Sequence, residues 1–181
     1  HKELFDYALD IGIIIFSTPF DEKAVDLLEG IDTPAYKIAS FELTDLPLLS
    51  YVAKKGKPML LSTGMASEME IHEAIETVRK NGCESILLFH CVSSYPAPIK
   101  EVNLRQIQNI SRTFSVPVGL SDHTLNNTCA VASIPLGACA IEKHFTLSRS
   151  DIGPDSSFSI EPNELKKLVQ DILDNPDMSV L

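Results

Sequence analysis

The sequence predicts an α/β fold with a parallel sheet, of the (β/α)8 barrel kind. Three observations carry this. A strand, a polar turn and a helix repeat six times at intervals of about 20–30 residues, the alternation of βα units. The strand segments are apolar throughout rather than alternating, as in a parallel sheet covered on both faces. Each apolar run then opens into polar, ligand-capable residues, as expected where all strand ends ring one mouth. Neither GxGxxG nor GxxxxGK[ST] follows the first strand, which weakens an open nucleotide-binding sheet. Six strands alone would leave sheet edges unpaired. The expectation is therefore a barrel fragment, strands 3 to 8 of eight, with two βα units ahead of His1. Residues 1–175 would form the barrel domain.

Taken in order, Leu4–Leu9 reads as the end of a helix, and Ile11–Phe16 as a buried strand running into Ser17-Thr18-Pro19-Phe20. Asp21 is an N-cap for a helix over Glu22–Glu29, with Gly30 at its end. Ala35–Ala39 is the second strand, Leu46–Lys55 a helix stopped at Gly56, and Pro58–Leu61 the third strand. Ser67 and Glu70 have the spacing of a capping box for a long helix to Lys80. Ser85–Phe89 is the fourth strand and Leu104–Phe114 the next helix. VPVGLSDHT (116–124) and AIEKHFT (140–146) supply the last two strands, with a short crossover helix within Asn126–Gly137. Pro162 suits the first turn of a final helix to about Leu173, which Asn175-Pro176-Asp177 breaks.

The 181 residues are 44% hydrophobic and 22% charged, which fits one globular domain. The net charge is −10 with both signs scattered. Without a basic cluster, nucleic acid is not an expected partner; a few local lysines can still make a pocket for an anion. The cysteines, Cys83, Cys91, Cys129 and Cys139, form no CxxC pair and read as buried free thiols of a reducing compartment. No apolar run approaches the roughly 20 residues of a membrane span. The polar opening His1–Asp10 does not read as a signal peptide, so a cytoplasmic location is expected.

The strand ends supply the chemistry. Alternation puts Ser121 and His123 on one face, and Glu142 and His144 on one face. Two neutral imidazoles at neighbouring strand ends, with a carboxylate beside one, suit a divalent cation; the bland alternative is a pair of core histidines. Lys37, inside an apolar strand, is either a snorkelling lysine, a cation for a carboxylate or phosphate, or a Schiff-base amine. Thr18, Ser40, Ser62, Ser94 and Ser121 are turn-formers or a ring of small donors suited to phosphate oxygens. Glu42 could orient a hydroxyl-rich substrate and Asp155 a base or water. Lys143 should point away from His144, toward the helices. His1 and His72 read as solvated, and His90 as core. From residues alone, this is a metal-assisted enzyme for an anionic substrate, with a decayed, non-catalytic sugar-binding barrel as the rival.

Seven ordered motifs, STPFD (17–21), YKIASFE (36–42), LSTGMAS (61–67), CVSSYPAP (91–98), VGLSDHT (118–124), EKHFT (142–146) and GPDSSFS (153–159), resemble the sialic acid synthase family. The resemblance implies condensation of phosphoenolpyruvate with an open-chain N-acylated hexosamine, giving a nonulosonic acid and phosphate, on a (β/α)8 barrel. It implies a following antifreeze-like domain, whose linker would begin at 176–181, and a domain-swapped homodimer. It implies His123 and His144 as ligands of Mn²⁺, with Mg²⁺ or Co²⁺ as alternatives, the metal serving as Lewis acid on the sugar aldehyde. Thr18, Lys37, Ser40, Ser62 and Ser121 match positions that hold phosphoenolpyruvate. Tyr95 and Asp155 match positions near the sugar, and Glu42 and Glu142 acidic positions in the mouth. Ser93 stands where some members carry asparagine. Phe41 after Ser40 looks more like the pseudaminic acid synthases, which implies 2,4-diacetamido-2,4,6-trideoxy-altrose as the sugar. N-acetylneuraminate or legionaminate synthesis is the alternative, and a Schiff-base aldolase using Lys37 a more distant one.

Overall fold

Side chains that close helix ends and apolar runs that form strands alternate along the chain, and together they give part of a (β/α)8 barrel. The computed structural model describes residues 1–174. The chain divides into two compact units, His1–Leu87 and Leu88–Leu181.

In the first unit, α1 (Lys2–Asp10) precedes α2 (Glu22–Gly30), whose N-cap Asp21 accepts from Ala24 N at 2.7 Å. Strand β1 (Tyr36–Ile38) pairs in parallel with β2 (Met59–Ser62), Lys37 opposite Leu60. Between them lies α3 (Leu46–Ala53), capped by Asp45. The box at Ser67 and Glu70 opens α4 (Glu68–Lys80) with both reciprocal bonds formed. Gly56 and Gly82 follow α3 and α4 at φ of +72° and +98°, a conformation that glycine adopts without strain. Met59 N donates to Ser85 O at the entrance to the next strand.

The first expected strand differs. Ile11–Phe16 forms no ladder; the segment contributes one parallel bridge, Ser17 to Tyr36. Ile13 and Ile14 are 59% and 80% exposed. An apolar run reports a tendency to be buried, but burial needs a second surface, and none covers these side chains among the described residues.

In the second unit, β3 (Ile86–Cys91) pairs with β4 (Val118–Ser121) and β4 with β5 (Ile141–Glu142), all in parallel, so strands follow one another in chain order. The connections are α5 (Gln106–Phe114), and α6 (Thr128–Ser133) with a 3-10 turn over Ile134–Leu136. The last helix, α7, spans Pro162–Leu173 with Pro162 in its first turn. The expected linker at 176–181 lies outside the described residues. Cys83, Cys91 and Cys129 are buried free thiols; Cys139, expected buried, is exposed just before β5. Among the described residues no helix is long and apolar enough to cross a membrane.

Candidate active site

The parallel ladder of the second unit sets two histidines side by side. Leu120 pairs with Ile141 and Ser121 with Glu142, and Asp122 N donates to Glu142 O at 2.9 Å. Continued two residues, this register brings His123 to His144, whose ring centroids lie 5.4 Å apart at 63°.

His123 is buried and its tautomer follows from its partners. Nδ1 lies 2.8 Å from the Val92 carbonyl. A carbonyl can only accept, so Nδ1 carries the proton and Nε2 is the lone-pair nitrogen. The Ser121 hydroxyl, 3.1 Å from Nε2, donates to it. Burial pushes the imidazole below the usual histidine range, and the positive charge that His144 can carry pushes the same way; the Val92 bond opposes them only in part. His123 is therefore neutral at pH 7. His144 is half-buried, and its Nδ1 lies 3.5 Å from Asp155 Oδ2, a contact that leaves Nε2 as the outward nitrogen.

Aromatic rings wall the pair. Tyr95 packs against His123 at 4.3 Å with the rings tilted by 37°, and meets His144 edge-on at 5.5 Å. Phe158, on the 3-10 turn Ser156–Phe158, lies 5.2 Å from His144 and 5.4 Å from Tyr95. Burial first, then the negative charge of the carboxylates Asp155 and Glu142, pushes the Tyr95 phenol up, so it stays protonated and remains a donor. Phe158 was not among the residues singled out from sequence. Its only signal was its place in GPDSSFS, where a single aromatic in a loop looks like any packed ring. Ser94, read from the sequence as a turn-former or a donor to substrate, gives its hydroxyl to Pro96 O at 3.2 Å, a local turn bond.

The histidines, Tyr95, Ser121, Glu142 and Asp155 thus belong to one neighbourhood of the second unit. Ser94 lies in the second unit as well, and Thr18, Lys37, Ser40, Glu42 and Ser62 lie in the first. Lys37 is half-buried in the middle of β1 between the fully buried Tyr36 and Ile38. Thr18 is half-buried just past the Ser17 bridge, and Ser62 is buried at the end of β2. Ser40 Oγ accepts from Gly64 N at 3.2 Å. Glu42 opens a 3-10 turn, Glu42–Thr44, with its Oε2 buried and without a hydrogen-bond donor. A buried carboxylate oxygen in that state is costly unless something donates to it. His90, expected in the core, is there, with Nε2 2.7 Å from Val102 O.

As a metal site, the donor set fits. Two imidazoles, one fixed neutral by burial and each with Nδ1 engaged elsewhere, are the ligands a borderline divalent cation takes. Among the described residues no group of three or more His, Cys, Asp and Glu is arranged to hold a metal.

Comparison with known proteins decides the family. The profile of the NeuB family matches residues 1–178. The chain belongs to the NeuB family. It is 47% identical over 174 residues to the N,N'-diacetyllegionaminic acid synthase of Campylobacter jejuni, covering 95% of this chain and 52% of that protein. It is 43% identical over 172 residues to the pseudaminic acid synthase of Helicobacter pylori, covering 95% of this chain and 51% of that one. Among solved structures, the spore coat polysaccharide biosynthesis protein SpsE of Bacillus subtilis superposes with a TM-score of 0.93 at 41% identity, over 97% of this chain and 49% of that one. The chain spans about half the length of the curated NeuB relatives it matches.

Proposed function

We propose that the full-length protein condenses phosphoenolpyruvate with an open-chain N-acylated hexosamine to give a nonulosonic acid and phosphate. The observation that carries this is the His123–His144 pair at paired strand ends, one imidazole held neutral and both walled by aromatic rings. Membership of a family whose similar relatives are named for synthesis of such acids supports it. His123 and His144 would hold a divalent cation, Mn²⁺ in the first place, which when bound supplies Lewis acidity toward the sugar aldehyde.

The chain's own residues account for the rest. The Val92 carbonyl fixes the His123 tautomer with the lone pair on Nε2, and an ion taken there would replace the hydroxyl proton that Ser121 now donates to it. Tyr95 and Phe158 pack against the histidine rings and help to hold their orientation. The protonated Tyr95 phenol is a donor for a sugar oxygen, while Glu142 and Asp155 are acceptors for its hydroxyls or amides. Glu42 Oε2, buried without a donor, is satisfied when a substrate O–H or N–H reaches it. Lys37 supplies positive charge for the phosphate, and Thr18, Ser40 and Ser62 small donors.

For the sugar we favour 2,4-diacetamido-2,4,6-trideoxy-altrose. Phe41 is 70% exposed, an apolar ring available to a ligand. An apolar neighbour suits a methyl group better than the hydroxyl that N-acetylmannosamine carries there, because an unpaired hydroxyl is costly to bury. Identities of 47% to a legionaminate synthase and 43% to a pseudaminate synthase do not choose between those products. For assembly, the same reading gives a domain-swapped homodimer of the full-length protein, to be measured by light scattering.

The test is phosphate release by the full-length protein with phosphoenolpyruvate and each sugar in turn, with the product identified by mass spectrometry. Release that depends on a diacetamido trideoxy sugar is expected. No release with any amino sugar overturns the synthase, and a clear preference for N-acetylmannosamine overturns the role of Phe41. Borohydride with pyruvate should leave Lys37 unmodified; an adduct there would favour an aldolase.

A further inference from the structure

Beside the two histidines lies an ion pair that the chemistry above does not use. One register step before His123 and His144, Asp122 meets Lys143: Lys143 Nζ lies 3.0 Å from Asp122 Oδ2, with side chains 5% and 0% exposed. Asp122 Oδ1 accepts from Thr124 N at 2.9 Å. Lys143 Nζ donates also to the carbonyls of Thr124 at 2.8 Å and Asn126 at 3.1 Å. Both carboxylate oxygens and all three ammonium donors are thereby used.

A buried ion pair of this kind adds little net stability, because desolvation offsets the attraction. Its effect is on alternatives. Strand β5 keeps two residues in the ladder, Ile141 and Glu142, and its segment is joined to β4 by three backbone bonds, Cys139 N to Val118 O, Leu120 N to Ala140 O and Asp122 N to Glu142 O, to which the ion pair adds a side-chain tie. A slip of one residue would turn His144 to the opposite face. The same slip would leave Asp122 and Lys143 buried without their partners, a far larger penalty than the pair's own contribution. The two further carbonyl contacts tie the loop that follows His123 to the strand that carries His144.

We propose that Asp122 and Lys143 are positioning residues that hold His123 and His144 side by side, so that the Nε2 atoms of the two rings serve one ligand. This rests on the reading of the two histidines as the metal-holding pair.

The test compares the full-length parent with Asp122→Leu/Lys143→Met, Lys143→Arg and His123→Ala. Each is followed by thermal unfolding, by Mn²⁺ titration read from the free-ion electron paramagnetic resonance signal, and by a metal-free crystal structure. The apolar double variant should unfold no earlier than the parent, yet bind Mn²⁺ about ten- to a hundredfold more weakly, the range for residues that orient ligands. In its metal-free crystal the rings should have left their 5.4 Å spacing. Lys143→Arg should recover most of the affinity. Binding by the double variant within about threefold of the parent, well under that range, or rings that keep their spacing, overturns the proposal. If the double variant does not fold, Asp122→Asn/Lys143→Gln decides on the same readouts. If the parent binds no Mn²⁺, or His123→Ala leaves binding unchanged, the metal reading fails, and ring spacing alone then decides the positioning role.

Discussion

Replacing Gly119 by alanine tests the packing on which the histidine register depends. Gly119 sits in β4 opposite Phe89 of β3. A Cβ there would lie 2.6 and 2.9 Å from two carbons of the Phe89 ring and 2.7 Å from the Ala140 carbonyl oxygen. The ring can rotate only against a closed core, since Phe89 is buried. The carbonyl cannot yield without loosening the bond it accepts from Leu120 N at 2.9 Å, which joins β4 to the start of β5. Overpacking costs about 1–3 kcal/mol and a weakened ladder bond about 0.5–1.5, so Gly119→Ala should destabilise by roughly 1.5–4.5 kcal/mol. Urea unfolding measures this as a lower midpoint at unchanged slope. Adding Phe89→Leu should return the ring's share but not the carbonyl's, and the double-mutant cycle should show that coupling. A loss below about 0.5 kcal/mol, the level of an ordinary surface change, would refute the account of how β3, β4 and β5 pack.

Other predictions follow from the site. Lys37→Ala should weaken phosphoenolpyruvate binding about ten- to a hundredfold, the worth of a charge-assisted contact of roughly 1.5–3 kcal/mol; unchanged affinity by calorimetry would remove Lys37 from the site. Burial lowers both His123 and His90 in the folded state, so the unfolded chain binds more protons below the ordinary histidine value. Stability should therefore hold at neutral pH and fall as pH drops below about 6.5 toward the lowered folded values. His90→Gln should reduce that slope, and a slope unchanged in both His90→Gln and His123→Gln would contradict the assignment.

The sequence was most informative where the physics is local. Asp21, Ser67 with Glu70, and Pro162 act on backbone groups within three or four residues, and each starts a helix where expected. Alternation along a strand is local too, and it placed Ser121 with His123 and turned Lys143 away from His144. Burial is not local. Ile11–Phe16 has the composition of a core strand, but most of it is exposed, and Cys139 likewise. Phe158 was missed because ring packing around His144 depends on the path of the loop from Phe145 to Ile160, which closes by a parallel bridge between those two residues. The Asp122–Lys143 pair was half legible: its direction followed from alternation, its partner only from register.

The central claim, that His123 and His144 together hold one divalent cation, is tested most directly by pulsed electron paramagnetic resonance on Mn²⁺ bound to the full-length protein. Modulation from the nitrogens of two imidazoles is predicted, falling to one in His123→Ala and one in His144→Ala, each with condensation activity abolished. Mn²⁺ that binds without nitrogen modulation, or modulation that survives both substitutions, would contradict it.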